Sequence, residues 1–281
     1  MSTEKNFPTT GTVAAVPGKG TRAGLLSLVM LKPGSAAAPV FMAHGIGDTV
    51  SGLARLASQI EVSQPIYGMQ AKGLDGINEP LDRIEDMAAF HVAAIRQFQP
   101  RGPYFLVGYS LGGLVTVEMA RHLSADGEKI GLLALVDSYP HRKYASLGPR
   151  ARVVTRLAKA RIAAMLRSNP DRHELQDSGA NASNPLSLDE PGRGALPRVR
   201  EYKVRAWNRY RPQPYSGKVK FVKAAVSSFL PDDPDGTWGR LVENLEIVTV
   251  PGNHLEMLTA HAQDVAEVLS RYITEAASRG L

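Results

Sequence analysis

The chain of 281 residues contains no cysteine. That absence removes disulfides, a thiol nucleophile and thiolate metal ligation from consideration; no metal site and no bound cofactor are expected. No apolar run reaches the roughly 20 residues of a membrane span. Residues 1–10 lack the basic-then-apolar layout of a secretory signal, so a cytoplasmic location is the expectation. There is no internal repeat. A hydrophobic content of 43% is ordinary for a protein with a sizeable core. The length suits one large α/β domain with insertions, or two small domains.

What is present includes an uneven charge. The net charge is +6, yet residues 139–211 hold 16 Lys/Arg against six Asp/Glu, which leaves the remainder slightly acidic. A concentrated positive field suits an acidic partner. No interleaved aromatic pattern or nucleic-acid module accompanies it, so no nucleic-acid role is expected. A solvated basic helix face is the plain alternative.

Short apolar runs at residues 25–31, 40–43, 65–70, 104–107, 131–136, 219–225 and 245–250 read as strands. The later ones are nearly continuous, as in parallel strands buried on both faces. Helical patterns alternate with them at 82–98, 115–123 and 264–276. Ile84, Met87, Ala88, Ile95 and Phe98 of the first fall on one stripe. The alternation predicts a mostly parallel, doubly wound α/β sheet. Residues 1–23 read as a loose leader. The core is expected at 24–138 and 212–281, and 139–211 as an inserted helical lid, with helices at 151–167 and 199–210 around a polar stretch.

Gly108-Tyr109-Ser110-Leu111-Gly112 lies between a strand-like run and a helical one. Strand, G-x-S-x-G, helix is the context of a nucleophile elbow, which exposes a strained serine at a helix N-terminus. Alone the pattern is weak, since a glycine-rich turn without chemistry would look the same. A serine hydroxyl also needs an adjacent base. Of seven histidines, His91 and His122 fall inside helices, His141 and His173 in the lid, and His261 begins the last helix. His254 follows the run at 245–250 and a Pro251-Gly252 turn, on a loop at the carboxyl edge of the sheet. Asp137 ends the run after the serine strand and could orient the imidazole. Asp232 and Asp233, after the run at 219–225, are its rivals. The order serine, acid, histidine is that of α/β-hydrolases. An oxyanion hole needs two backbone N–H groups. Leu111 supplies one, and Ile46 in His44-Gly45-Ile46-Gly47-Asp48 the other, with Gly45 as the alternative and His44 as a structural residue.

Several stretches at once resemble the thioesterase domains of nonribosomal peptide and polyketide synthetases. They are His44-Gly45-Ile46-Gly47, the ten residues from Pro65 to Leu74, the twelve from Gly102 to Gly113, the nine from Arg209 to Gly217, and the nine from Val250 to Leu258. The resemblance runs from about residue 38 to 275. It implies an α/β-hydrolase fold with a helical lid and an acyl, polyketide or peptidyl substrate on a phosphopantetheine arm or coenzyme A. An acyl or peptidyl carrier protein is the implied partner, with Arg150, Arg152, Arg156 and Lys159 as candidate docking residues. Ser110 matches the family's nucleophile and His254 its base. Asp137 matches the acid of chain-terminating thioesterases, whereas separate editing thioesterases more usually hold it after the later strand. Gly45-Ile46-Gly47-Asp48 departs from the family's small residues and glycine pair. Either a free-standing protein or a piece of a synthetase fits. The rival readings are a serine esterase, an acyltransferase, and a silent scaffold on the same fold.

Overall fold

A computed structural model describes residues 27–36, 38–140, 190–227 and 233–279. The proposed leader, the helix expected at 151–167, His141, His173, Asp232 and all four candidate docking residues lie outside them. Seven strands form one sheet: β1 (Leu28–Lys32), β2 (Val40–Ala43), β3 (Ile66–Met69), β4 (Tyr104–Tyr109), β5 (Ile130–Val136), β6 (Tyr215–Ala224) and β7 (Val242–Val250). Their order is β1-β3-β2-β4-β5-β6-β7. Only β1 runs antiparallel to its neighbour. Six α-helices, with short 3-10 helices at Val50–Leu53 and Glu256–Leu258, complete the described fold: α1 (Ala54–Gln59), α2 (Ile84–Phe98), α3 (Leu111–Ala125), α4 (Glu190–Arg209), α5 (Pro234–Trp238) and α6 (Ala262–Ser278).

Side-chain alternation along the strands builds two cores. In β4, Tyr104 and Leu106 point to one, whereas Phe105, Val107 and Tyr109 point to the other. Leu133 and Leu135 of β5 join the first; Leu132, Ala134 and Val136 join the second. The first core takes the apolar stripes of α2 and α3 with Ala206 and Tyr210 at the end of α4, and the second those of α1 and α6. Both faces are therefore covered, which is why the central strands read as continuous apolar runs. This is the α/β architecture that the alternation predicted.

Helix α4 begins at Glu190 rather than at 199, and three further boundary shifts have a clear physical reason. Helix α3 starts at Leu111 rather than at 114 or 115, because its glycines are packed closely against β2 and Ser138 and tertiary contact overrides their poor helix propensity. A Cβ on Gly112 would lie 2.2 Å from the Ala43 carbonyl oxygen, and one on Gly113 2.3 Å from Ser138 Oγ. Strand β6 begins at Tyr215, where a backbone hydrogen bond from Tyr215 to Leu241 opens its pairing with β7. Strand β7 begins at Val242 and is an edge strand with five exposed residues, so its first half carries little apolar signal.

The chain moves outward from β2 to β3 and then returns to the other side of β2 for β4. The loops leaving β2 and β4 thus diverge from adjacent carboxyl ends, where open α/β sheets form their crevice. Residues 44–48 and Ser110 stand on its two sides. Gly112→Ala should gain about 1 kcal/mol of helix propensity but lose about 1–3 kcal/mol to overpacking against Ala43. The expected outcome is a lower denaturant midpoint with an unchanged slope; a raised midpoint would mean that α3 can shift away from β2.

Candidate active site

Ser110 adopts φ 55 and ψ −123, a positive φ on a residue that has a side chain. Such a conformation costs of order 1–3 kcal/mol and persists only where the surroundings enforce it. Here the Ser110 N–H donates to Val136 O at 3.0 Å, and Gly113 N–H donates to Ser110 O at 3.1 Å. A Cβ on Gly108 would come within 2.4 Å of Gly113 Cα, so only glycine permits the turn to close. The side chain of Ser110 is left at the crevice, at the N-terminus of α3, half-buried.

Asp137 leaves β5 directly and also has a positive φ, 45°. Its N–H donates to Val222 O at 2.8 Å and its Oδ1 accepts from Ala224 N–H at 3.3 Å, which tie it to β6. Trp238 of α5 is fully buried and donates from Nε1 to Ser138 O at 2.8 Å, fixing the same strand end. The rival Asp233 is exposed and caps α5, accepting from Gly236 N–H at 2.8 Å. Its carboxylate is occupied as a helix cap, the commonest use of an aspartate before a short helix.

His254 follows β7 on a turn in which Gly252 has φ 82. The next residues form a reciprocal cap: Asn253 Oδ1 accepts from Leu255 and Glu256 N–H at 3.0 and 3.2 Å, and Glu256 Oε2 accepts from Asn253 N–H at 2.9 Å. That pattern, Asn-x-x-Glu, fixes the backbone on both sides of His254. Its imidazole lies 2.8 Å from Asp137 Oδ2 through Nδ1 and 3.1 Å from Ser110 Oγ through Nε2. A carboxylate only accepts, so Nδ1 carries the proton and Nε2 is left to accept from the serine hydroxyl. Asp137 and His254 are both buried. The three residues named from the sequence are therefore brought into one hydrogen-bonded line by β4, β5 and β7. Such a line can deprotonate a serine and hold the resulting imidazolium.

Tyr109 was not singled out in the sequence, although it is the variable residue before Ser110. Its ring stacks on the His254 imidazole at 4.8 Å and 18°, and its hydroxyl donates to His254 O at 2.7 Å. Lys203 was missed as well. It lies in α4 at 3% exposure, with Nζ 3.1 Å from His44 Nδ1 and 3.0 Å from Gly45 O. The Ile46 and Leu111 side chains both border the first core. Leu111 further lines a largely apolar cavity with Met69, Met87, Phe90, His91 and Lys203.

Three buried groups share that region. His44 is held well below the usual imidazole range by burial, then by Lys203 and His91. Burial, with Lys203 second, pushes His91 down to about 3, and its Nδ1 has no hydrogen-bond partner among the described residues. Burial lowers Lys203 to about 7 despite the opposing Asp48 charge. His44 is thus a structural residue of its loop. His91 is a core histidine whose polar atom is left unpaired. His261 caps α6 and pairs with Asp264 at 3.0 Å. Among the described residues no three His, Asp or Glu side chains converge as a metal site, and no helix is long and apolar enough to cross a membrane.

The family model of the thioesterase domain matches residues 38–273. A dimodular nonribosomal peptide synthase of Bacillus subtilis (strain 168) is 30% identical over 227 residues, 78% of this chain and 10% of that protein. The polyketide synthase PksR of the same organism is 39% identical over 115 residues, 41% of this chain and 4% of that protein. The chain thus spans about a tenth or less of the length of these relatives. In fold it is similar to the NocB thioesterase domain from the nocardicin cluster, with a TM-score of 0.65, 21% identity, and 89% of this chain and 99% of that one covered. The type II thioesterase BorB from the borrelidin cluster gives a TM-score of 0.64 at 19% identity, covering 88% and 97%.

The buried histidine generates a pH prediction. An unfolded imidazole takes up its proton near 6.5, whereas folded His91 stays neutral down to about 3. Between those values the unfolded state binds the extra proton, so stability falls as pH falls. His91→Phe should show a shallower decline in thermal midpoint between pH 6.5 and 4 than the unaltered chain. Parallel declines would assign the acid sensitivity to other groups.

Proposed function

Because this chain belongs to the thioesterase-domain family, we propose that it is a serine thioesterase releasing an acyl, polyketide or peptidyl chain from a phosphopantetheine thiol. The observation that carries the reading is the hydrogen-bonded line Ser110, His254, Asp137, with spacings of 3.1 and 2.8 Å. In this mechanism His254 Nε2 takes the Ser110 proton as Oγ attacks the thioester carbonyl carbon. The backbone N–H groups of Leu111 and Ile46 receive the oxyanion, each worth about 3 kcal/mol of barrier. The C–S bond then breaks, and the imidazolium returns its proton to the departing thiol. Water activated by His254 opens the acyl-Ser110 ester to a free acid; an internal amine or hydroxyl of the chain closes a ring instead.

The strained Ser110 backbone supports this role, as does the position of Leu111 as the first residue of α3, whose N–H precedes the helix's own i to i−4 bonding. Residues 139–211 are proposed as the lid, with α4 as its returning helix, and residues 1–23 as a leader. Arg150, Arg152, Arg156 and Lys159 are proposed to meet an acidic carrier protein, because the count of basic residues is highest in that insertion. The reaction as proposed needs no metal or resident cofactor, since the serine, the imidazole and backbone amides supply every step, and it is proposed to run in the cytoplasm.

The test is turnover of acyl-pantetheine thioesters against matched oxygen esters. Ser110→Ala should lower thioester turnover by several orders of magnitude, and Asp137→Asn by about 10⁴-fold by presenting the wrong imidazole tautomer. Turnover by Ser110→Ala close to that of the unaltered chain would overturn the nucleophile. Activity confined to oxygen esters would make the protein an esterase, and product formed only with an added amine or alcohol would make it an acyltransferase.

A further inference from the structure

The loop carrying Ile46 is gripped from α4 by two cations. Lys203 Nζ lies 3.0 Å from Gly45 O, 3.5 Å from Asp48 O and 3.1 Å from His44 Nδ1. Arg200 donates to Gly47 O at 2.7 Å. Three carbonyls of a five-residue loop, at 45, 47 and 48, are therefore held by one helix. An ammonium has three protons and no acceptor, so these contacts match its whole donor set. A buried cation costs several kcal/mol of desolvation unless such partners are present.

One of those carbonyls has a particular consequence. Gly45 C=O and Ile46 N–H belong to the same planar trans peptide and point in opposite directions. A cation held on the carbonyl fixes the direction of the N–H. It also draws electron density through the amide, which makes that N–H a stronger donor. We propose that Lys203 is a positioning residue for the oxyanion hole, orienting and polarising the Gly45–Ile46 peptide so that Ile46 N–H meets charge developing on the substrate carbonyl. This rests on the serine thioesterase reading above. It also gives the buried lysine its counterparts: the negative ends of the peptide dipoles, beside the Asp48 charge.

The charge on Lys203 then becomes part of the rate. The groups facing its ammonium are His44 and Asp48 from the β2 loop, His91 from α2, and Arg200 from its own helix, with Lys72 lining the same cavity. The two histidines are held neutral and the Asp48 charge favours the ammonium, but burial lowers Lys203 to about 7. Below that pH the peptide is polarised; above it the amine is a weaker donor. Turnover should therefore fall as Lys203 loses its proton.

The experiment compares Lys203→Met and Lys203→Gln with the unaltered chain on whichever thioester that chain turns over, with thermal melting to confirm folding. Lys203→Met is expected to lower kcat about tenfold, less than the 10²–10³ for deleting a donor outright, with KM within twofold and the alkaline fall in the pH profile gone. Lys203→Gln keeps a neutral donor and should lie between the two. A trifluoromethyl ketone analogue, whose hemiketal with Ser110 carries an oxyanion, should bind Lys203→Met about tenfold more weakly, while the unreactive amide analogue binds equally to both. An unchanged kcat, a loss confined to KM, or equal ketone affinity would overturn the proposal, and should Lys203→Met fail to fold, the same readings on Lys203→Gln decide. Ser110→Ala run alongside separates the two failures. If it is inactive while both lysine variants match the unaltered chain, the thioesterase reading stands and this inference falls.

Discussion

Helix α3 can begin directly after Ser110 only because residues 108, 112 and 113 carry no side chains: backbone fills the space at 108 and 112, and the Ser138 side chain fills it at 113. Those close approaches draw β2, β4 and β5 against the helix N-terminus and hold the serine at positive φ. The rest of the site is hung on this contact. The β2 loop must pass Ser110 at Gly45, where a Cβ would stand 3.1 Å from the Ser110 Cβ. Asp137 leaves the neighbouring strand at the same level and reaches His254 across β6. The serine turn therefore sets the distances that the other two elements must meet, and each meets them with backbone bonds of its own.

Much of this could be read from the residues. The apolar runs marked the central strands because burial on both faces leaves no room for alternation, and Ser110, Asp137 and His254 could be named because each follows such a run in the order a hydrolase requires. The Asn253-x-x-Glu256 cap was also present as a pattern and would have argued for a rigid base loop. Tyr109 and Lys203 were less accessible. Tyr109 occupies a variable position of the motif, and its stacking on His254 joins residues 145 apart in the chain. Lys203 sits among Arg198, Arg200, Arg205 and Arg209, so nothing local separates the one cation that is buried from those that face outward. Register against the β2 loop decides that, and register is a tertiary property.

The basic stretch itself changes meaning in the structure. Of its described part, Arg198 pairs with Glu79, Arg209 with Asp82 and Arg205 with Glu201. Tyr202 also donates to Glu79 and stacks beneath Arg205 at 5.0 Å. Arg198 and Arg209 tie α4 to the segment before α2, and Arg205 pairs within α4, so the field that a count of residues implies is partly neutralised within the chain. Exposed pairs of this kind add little to stability; their effect lies more in setting where α4 sits.

Helix α4 is also bound from below. Val199, Ala206 and Tyr210 are buried, and the Tyr210 hydroxyl donates to Glu118 of α3 at 2.7 Å. In covalent order this helix belongs to the proposed insertion, but in packing it belongs to the core. Anyone exchanging insertions between relatives to alter specificity should therefore place the downstream junction before residue 198. A graft joined at residue 211 would carry away the cations that hold the β2 loop along with the segment meant to be replaced.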